Sequence, residues 1–228
     1  MNKFIVLGLF FLFTFAFLPN QIFAHYHNHD LLFGFKGGTN IDGFIDYKPK
    51  DDLSWKKITT TPTLGSNYGI SFDIRVFKPF FLYWELNRTN SRAKWTIYSD
   101  KEENSGQETY IDLNTRNYLY GLKLRIYYFY IAGAFSFRYI KGYDDPYFNV
   151  RDSIETEVNK LPEYIEEKYY SIDYCAGFNF KLSYFHFLLE VHYDKGFDNI
   201  LKESPLEFKE LIPGGFKIYF GLCIPCDY

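Results

Sequence analysis

Three histidines stand at alternate positions near the start of the chain, and imidazole is a common ligand of transition metals. His25, His27 and His29 are followed directly by Asp30. In an extended segment alternate residues share one face, as a metal site would require. The competing interpretation, which we favour for so short a tract, is a polar tail. We therefore expect no resident metal or cofactor and keep the three histidines as weak metal candidates.

Thiol chemistry is available at three cysteines, two of them close to the end of the chain. Cys223 and Cys226 form a C-x-x-C pair around Ile224-Pro225. Such pairs occur in redox and metal sites, but no helix start follows this one to activate a thiol. In an oxidising compartment, a local disulfide between Cys223 and Cys226 is the simpler expectation. Cys175 would then be left over, and a bridge from Cys175 to Cys223 is the competing expectation.

Charged residues recur at every second position in several segments, opposite large apolar residues. In residues 68–76, aromatic and aliphatic side chains alternate with glycine, serine, aspartate and arginine. Successive side chains of a β-strand point to opposite faces, so such a segment has one apolar face and one polar face. The charges expected on polar faces are Lys36, Asp73, Arg75, Glu85, Lys123, Arg125, Arg138, Asp173, Lys181, Glu190 and Lys217. This pattern is typical of a barrel with an apolar outside and a polar lumen.

Eight segments with this alternation follow one another along the chain. They cover residues 31–38, 68–76, 80–87, 118–126, 129–139, 172–181, 185–194 and 216–224. The connections between them are alternately very short and very long. The long connections are residues 41–65, 88–107, 141–167 and 195–213. An even strand count with this alternation predicts an all-β, eight-stranded, antiparallel up-and-down transmembrane β-barrel.

The start of the chain is typical of a secretory signal. Lys3 precedes a run of mostly apolar residues at 4–17, and Ala24 offers a small residue at a cleavage position. The apolar run is too short to span a membrane. The predicted division is therefore a cleaved signal peptide at 1–24 and an outer-membrane β-barrel domain at 25–228.

Composition limits the function classes further. The formal net charge of −3 argues against a nucleic-acid partner, which would favour a basic face. Aromatic residues make up 22% of the chain, with 22 Tyr and 26 Phe. Aromatic girdles at both membrane interfaces of a barrel would account for this excess. A mean hydropathy of −0.25 suits a barrel, in which only alternate strand residues need to be apolar.

Four short motifs follow one another along the chain in a recognisable order. They are Gly34-Phe35-Lys36-Gly37-Gly38-Thr39-Asn40, Leu82-Tyr83-Trp84-Glu85-Leu86-Asn87, Tyr118-Leu119-Tyr120-Gly121-Leu122-Lys123-Leu124 and Tyr193-Asp194-Lys195-Gly196-Phe197-Asp198-Asn199-Ile200. With these motifs, the chain resembles the PorT-like outer-membrane β-barrel domain family. This family comprises small porin-like barrels of Bacteroidetes and related bacteria, in the size class of OmpA/OmpX-type eight-stranded barrels.

The resemblance implies a fold and a location. The chain differs from the family at Leu122, where proline is usual, and at its end, which is not a strand closing on a terminal Phe. The resemblance implies a bacterial outer membrane, with both termini periplasmic and with insertion by the barrel-assembly machinery. It implies no single activity, because fold is weak evidence for function.

The inward charges have two interpretations. They could line a conduit, or they could form a salt-bridged plug. An eight-stranded barrel is only wide enough for side chains to fill its interior. Unpaired charges in such an interior would be costly, so charges of opposite sign should pair. We favour the plug, and keep a narrow channel for small solutes or ions as an alternative.

A catalytic interpretation is weaker. Some small outer-membrane barrels are lipid-modifying enzymes that use a histidine beside a serine or an aspartate. Here His186 lies near a short turn, and His192 faces inward beside Asp194. No motif places a serine nucleophile near either histidine, so an inward histidine with satisfied hydrogen bonds is the better interpretation. We expect the protein not to be an enzyme, and keep lipid modification as an alternative.

The predicted role is structural or interactive, through long extracellular loops on a monomeric barrel. Those loops contain exposed aromatic residues amid charge, for example Trp55, Tyr143 and Tyr147, a mixture suited to binding. The expected partners are outer-membrane lipid, the barrel-assembly machinery and a surface protein or other envelope component. A secreted, soluble ligand-binding barrel is a further alternative, although charges and glycines on the inner face argue against it.

Overall fold

Eight antiparallel strands form a closed barrel in the computed structural model of the chain. The structure describes residues 31–49, 55–99, 107–140, 166–182, 184–200 and 208–226. The strands are β1 (Leu31–Pro49), β2 (Trp55–Phe77), β3 (Phe80–Ser99), β4 (Gln107–Ile126), β5 (Phe129–Ile140), β6 (Lys168–Leu182), β7 (Phe185–Gly196) and β8 (Phe208–Pro225). Each strand pairs with its neighbours in sequence, and β1 pairs with β8 to close the barrel. The predicted all-β, eight-stranded antiparallel fold is confirmed.

Burial alternates along the strands because successive side chains point into and out of the barrel. In β7, His186, Leu188 and Glu190 are buried, while Phe187 and Leu189 between them lie on the outer face. The same alternation leaves the large apolar side chains Phe72, Ile74, Leu122, Phe135, Leu189 and Phe220 half-buried or exposed. The outside of the barrel therefore carries a belt of large apolar side chains.

Short connections join the strands at one end of the barrel, which we call the turn end. Lys78-Pro79 links β2 to β3, and Tyr127-Tyr128 links β4 to β5. Two residues separate Leu182 of β6 from Phe185 of β7. These connections agree with the sequence prediction. Within the described ranges, no helix is long and apolar enough to cross a membrane.

Five strands run at least eight residues farther than predicted toward the opposite end, which we call the loop end. These are β1, β2, β3, β4 and β8, so the predicted long loops at 41–65 and 88–107 are wrong over most of their length. The apolar alternation stops earlier, but backbone pairing continues; for example, Thr59 of β2 lies opposite Thr96 of β3. Threonine favours strands without contributing an apolar face, which explains why the pattern hid these extensions.

The wall of the barrel is uneven at the loop end. β5, β6 and β7 have 12, 15 and 12 residues, whereas β2 has 23 and β8 has 18. β4 pairs with β5 only from Thr115 onward, and β8 pairs with β7 only from Gly214 onward. Among the described residues, 107–113 and 208–213 therefore pair on one side alone, with β3 and β1 respectively. We call these two segments the open edges.

Several predictions fall on residues outside the described ranges. These are the signal peptide at 1–24, the histidines His25, His27 and His29, and the aromatic residues Tyr143 and Tyr147. They remain predictions.

Candidate functional site in the barrel lumen

Inward-pointing charged side chains fill the middle of the barrel. Of the predicted lumen charges, those buried are Lys36, Asp73, Glu85, Lys123, Arg125, Arg138, Asp173, Glu190 and Lys217. Arg75 is half-buried, and Lys181 is exposed. Lys181 shares the inward face of β6, opposite the buried His186, but lies outside the buried group of charges. It lies one residue before the end of β6, where a long lysine side chain can reach water at the turn end.

Lys36 of β1 lies between two carboxylates from opposite parts of the wall. Its Nζ is 2.7 Å from Oε1 of Glu85 in β3 and 2.8 Å from Oε2 of Glu190 in β7. The side chains of all three residues are nearly inaccessible to solvent. Asn87 donates to the other oxygen of Glu85 at 3.0 Å. This ion-paired group crosses the lumen and links strands that are not neighbours in the sheet.

Asp73 of β2 forms a second buried group with two cations of β4. Its Oδ2 lies 2.9 Å from Lys123 Nζ and 2.8 Å from Arg125 Nη2. Lys123 Nζ also lies 3.9 Å from Oε1 of Glu190, which connects this group to the first one. The guanidinium of Arg125 lies 4.4 Å from the centre of the Phe81 ring, a cation–π contact. The two groups together join β1, β2, β3, β4 and β7 through paired charges inside the lumen.

His192 contacts carboxylates through both of its ring nitrogens. Nδ1 lies 2.8 Å from Asp173 Oδ1, and Nε2 lies 3.2 Å from Glu190 Oε2. Tyr130 donates a short hydrogen bond to the other oxygen of Glu190. Because neither ring nitrogen is left over for a serine hydroxyl, His192 lacks the geometry of a base that activates a nucleophile.

A third group of charges lies nearer the loop end, around Asp194 of β7. Arg138 Nη2 is 2.7 Å from Asp194 Oδ2, and Lys217 donates a short hydrogen bond to Oδ1. Lys217 also lies 3.8 Å from Asp42, whose Oδ2 accepts from the Ser91 hydroxyl at 3.1 Å. Charge pairing therefore extends from the middle of the lumen toward the loop end.

The turn end of the lumen is closed mainly by apolar packing. The buried cluster there comprises Leu32, Tyr130, Leu188, Cys175 and Cys223. Beside it, Nδ1 of His186 lies 2.7 Å from the side-chain oxygen of Asn179. This packing lies level with the second group of charges, because Leu32 is opposite Asp73 and Tyr130 is opposite Arg125 in neighbouring strands.

Two inward-facing glycines make room for tyrosine rings in this packing. A Cβ at Gly177 would lie 2.6 Å from Cζ of Tyr130, and one at Gly121 would lie 2.6 Å from Cε1 of Tyr83. Real Cβ atoms do not approach other atoms so closely. Gly177 is therefore required by the close approach of Tyr130. Gly121 is required by that of Tyr83 together with the backbone oxygen of Gly133, which such a Cβ would also meet. The two tyrosine rings also flank the Lys123 ammonium at 4.5 and 5.0 Å.

The predicted disulfide is wrong, since Cys175, Cys223 and Cys226 are free thiols. Cys223 is buried on the lumen face, whereas Cys226 follows the strand and its N–H donates to the carbonyl of Leu31 at 2.9 Å. In an extended chain, residues three apart point to opposite faces and their Cα atoms are about 10 Å apart. That separation exceeds the roughly 7 Å that a disulfide tolerates. The competing bridge between Cys175 and Cys223 is also not formed.

Asp42 and Tyr130 are among the lumen residues that the sequence prediction missed. Asp42 fell inside a predicted loop, and Tyr130 was not assigned to a face. The strict two-residue period could have found both, because Asp42 shares its face with Lys36 in β1 and Tyr130 shares its face with Arg138 in β5.

Comparison with known proteins adds little beyond the fold. No protein-family model matches the chain, and no curated protein matches it. A similar solved structure is the outer membrane protein OprG from Pseudomonas aeruginosa, at 15% identity and a TM-score of 0.48, covering 87% of this chain and 98% of that one. Another is the outer membrane protein AlkL in lipid bilayers, at 11% identity and a TM-score of 0.47, covering 90% and 93%. Because both scores are below 0.5, the fold assignment rests on the strand pairing of this chain.

Proposed function

We propose that the protein is an outer-membrane β-barrel with a closed lumen and a structural or interaction role at its loop end. The observation that carries this proposal is the ion-paired lumen. Lys36 is held between Glu85 and Glu190, and Asp73 binds Lys123 and Arg125 beside them. An eight-stranded barrel leaves little space beyond its own side chains, so these pairs act as a plug.

The outer surface supports the membrane part of the proposal. Leu122 is 58% exposed and Phe220 is 52% exposed, and they belong to a belt of apolar side chains around the barrel. Soluble monomers rarely expose so large a contiguous apolar surface. Exposed aromatic residues gather near the turn end, among them Phe77, Tyr127 and Phe185, as a membrane-interface girdle would. Membership of the PorT-like family, with both termini periplasmic and insertion by the barrel-assembly machinery, belongs to the same proposal.

The open edges suggest how the loop end would bind a partner. An unpaired strand edge presents backbone N–H and C=O groups that can accept a further strand. Edges at 107–113 and 208–213, which pair on one side alone within the described part of the chain, would therefore suit a surface or envelope protein that presents an extended segment, bound by β-augmentation. This surface takes over the binding role that the sequence assigned to long loops at 41–65 and 88–107.

Conductance in planar lipid bilayers tests the closed lumen. Folded protein, identified by a gel mobility that changes on boiling, should show no steady current. The Asp73→Asn variant, which frees two cations, provides a positive control for leak through a disturbed plug. Stable, ion-selective steps from the unmodified protein would overturn the plug and favour the channel.

Site-specific photo-crosslinking in intact cells tests the open edges. A photoreactive residue in place of Tyr110, in the β4 edge, should give a protein adduct. The same residue in place of Tyr184, which is 82% exposed at the turn end, serves as the control. Adducts at Tyr184 but none at Tyr110 would contradict binding at the loop end.

A further inference from the structure

Cys175, Glu190 and His192 bring three different metal-binding groups together inside the lumen. One ligand atom from each, Sγ, a carboxylate oxygen and a ring nitrogen, lies within 4.8 Å of the other two. All three residues are buried. The barrel register creates this arrangement, because Cys175 of β6 lies directly opposite His192 of β7, and Glu190 is the next inward residue of β7.

Neighbouring side chains orient two of these ligands. Asp173 lies 2.8 Å from Nδ1 of His192, which directs the other ring nitrogen, Nε2, toward Glu190. Tyr130 bonds to Oε1 of Glu190, which leaves Oε2 facing His192. A carboxylate on the outer nitrogen of a ligating histidine, and a hydrogen bond to a ligating carboxylate, are the usual supports of protein metal sites.

The spacing of the nitrogen and oxygen ligand atoms suits a small tetrahedral ion. Nε2 of His192 and Oε2 of Glu190 are 3.2 Å apart. Two ligands at about 2.0 Å from a tetrahedral zinc ion would themselves be about 3.3 Å apart. Thiolate, imidazole and carboxylate are all ligands that zinc accepts, and calcium or magnesium would not select a thiolate.

We propose that Cys175, Glu190 and His192 supply three of the four ligands of one Zn²⁺ ion in the middle of the lumen, with a water molecule as the fourth. Such an ion would join β6 to β7 and would cross-link the plug described above.

The nearby cations are compatible with this site. Lys36 lies 2.8 Å from the proposed ligand oxygen of Glu190, but Glu85 is 2.7 Å away and keeps the ammonium paired when Glu190 binds the ion. Zinc binding also displaces the proton of the Cys175 thiol and any proton on Nε2 of His192. Loss of the thiol proton offsets one of the two positive charges of the ion, and a proton that leaves Nε2 offsets the other.

Metal content of refolded protein tests the site, with matched controls that the chain itself provides. Mature protein is refolded in detergent with Zn²⁺, passed over a chelating column and measured by elemental mass spectrometry. We expect about one zinc per barrel, lost in Cys175→Ala and retained in Cys223→Ala, which also removes a buried lumen thiol. His192→Gln should lose zinc and His186→Gln should keep it. The triple variant H25A/H27A/H29A excludes binding by the N-terminal tract.

A residue that contacts a ligand, and not the ion, should have a smaller effect on zinc affinity. Asp173→Asn keeps the shape of the support for His192 but weakens it, and should lower zinc affinity about 10- to 100-fold. The proposal would be overturned if the Cys175→Ala, His192→Gln and Asp173→Asn variants bound zinc in the same amount and with the same affinity as the unmodified protein.

Cobalt provides a measurement that does not depend on variants folding. Unmodified protein refolded with Co²⁺ should show the thiolate-to-metal absorption band and the visible bands of a tetrahedral site. Added Zn²⁺ should abolish both. Cobalt bound without a thiolate band, or no bound metal at all, would refute the site. These outcomes are independent of conductance, so the closed lumen and the zinc site can fail separately.

Discussion

The inner and outer faces of the same strands follow different rules, as two adjacent residues of β2 show. Asp73 points inward and binds Lys123 and Arg125 at 2.9 and 2.8 Å. Phe72 points outward, where its ring lies 4.7 Å from that of Phe33 and 5.3 Å from that of Trp84. The inner position is defined by particular partners, whereas the outer one is defined by apolar character. Substitutions should therefore be judged by partner on one face and by polarity on the other.

The largest effect should come from removing the shared carboxylate of the inner face. Asp73→Asn leaves Lys123 and Arg125 buried without their counter-charge, which should lower the free energy of unfolding by about 3–5 kcal/mol. Urea unfolding of the refolded barrel in lipid vesicles measures this loss. Asp198→Asn, at an exposed position, is the control and should change little. Equal stability of the two variants would mean that the ion pairs do not hold the lumen together.

A charge on the outer face should cost somewhat less. Phe72→Arg places a guanidinium in the apolar belt, and a cation at a lipid-facing position near the bilayer midplane costs about 2–4 kcal/mol. Phe72→Leu keeps the apolar character and should be nearly neutral. The fraction of protein that inserts into vesicles, read by heat-modifiable gel mobility, separates the two variants. If Phe72→Arg inserts as well as Phe72→Leu, the outer face does not contact lipid.

Substitutions at two glycines compare the inner and outer faces without a change of charge. Gly177 faces Tyr130 on the inside, so Gly177→Ala should overpack the lumen and cost about 1–3 kcal/mol. Gly133 lies on the outer face, where a Cβ would meet nothing within 4 Å, so Gly133→Ala should be close to neutral. Urea unfolding of both variants measures the difference. A larger loss for Gly133→Ala would reverse the assignment of the two faces.

The smallest effect on stability should come from the connection between β5 and β6. Removal of residues 144–163 should change the free energy of unfolding by no more than about 0.5 kcal/mol, if this segment serves only binding. Heat-modifiable mobility reports whether the barrel still forms, and co-purification reports whether a surface partner is lost. A barrel that no longer folds would show that this segment belongs to the core.

Much of the fold could be predicted from local pattern alone. The alternation in β7 correctly assigned Glu190 and His192 to one face and Leu189 to the other, because burial of every second residue leaves a direct record in the sequence. The ends of the long strands could not be predicted in this way. Thr59 and Thr96 pair through their backbones, and backbone hydrogen bonds do not depend on an apolar face.

The candidate site, too, could be predicted from the sequence only in part. The sequence placed Cys175 and His192 on inward faces, but gave no sign that they lie opposite each other. It also suggested a Cys223–Cys226 disulfide from spacing alone, whereas the extended end of β8 points these side chains to opposite faces. Spacing along a chain describes neighbours only when the local conformation is known.

By itself, the sequence determined which side chains share a face, how many strands there are and which connections are short, because these properties depend on residues close together in the chain. Only the tertiary structure decided which inward charges meet. Lys36 and Glu190 are 154 positions apart, yet Nζ and Oε2 lie 2.8 Å from each other. Their meeting depends on the register of all eight strands, and a closed barrel fixes that register as a whole, because a slip of one strand by a single residue would exchange its polar and apolar faces.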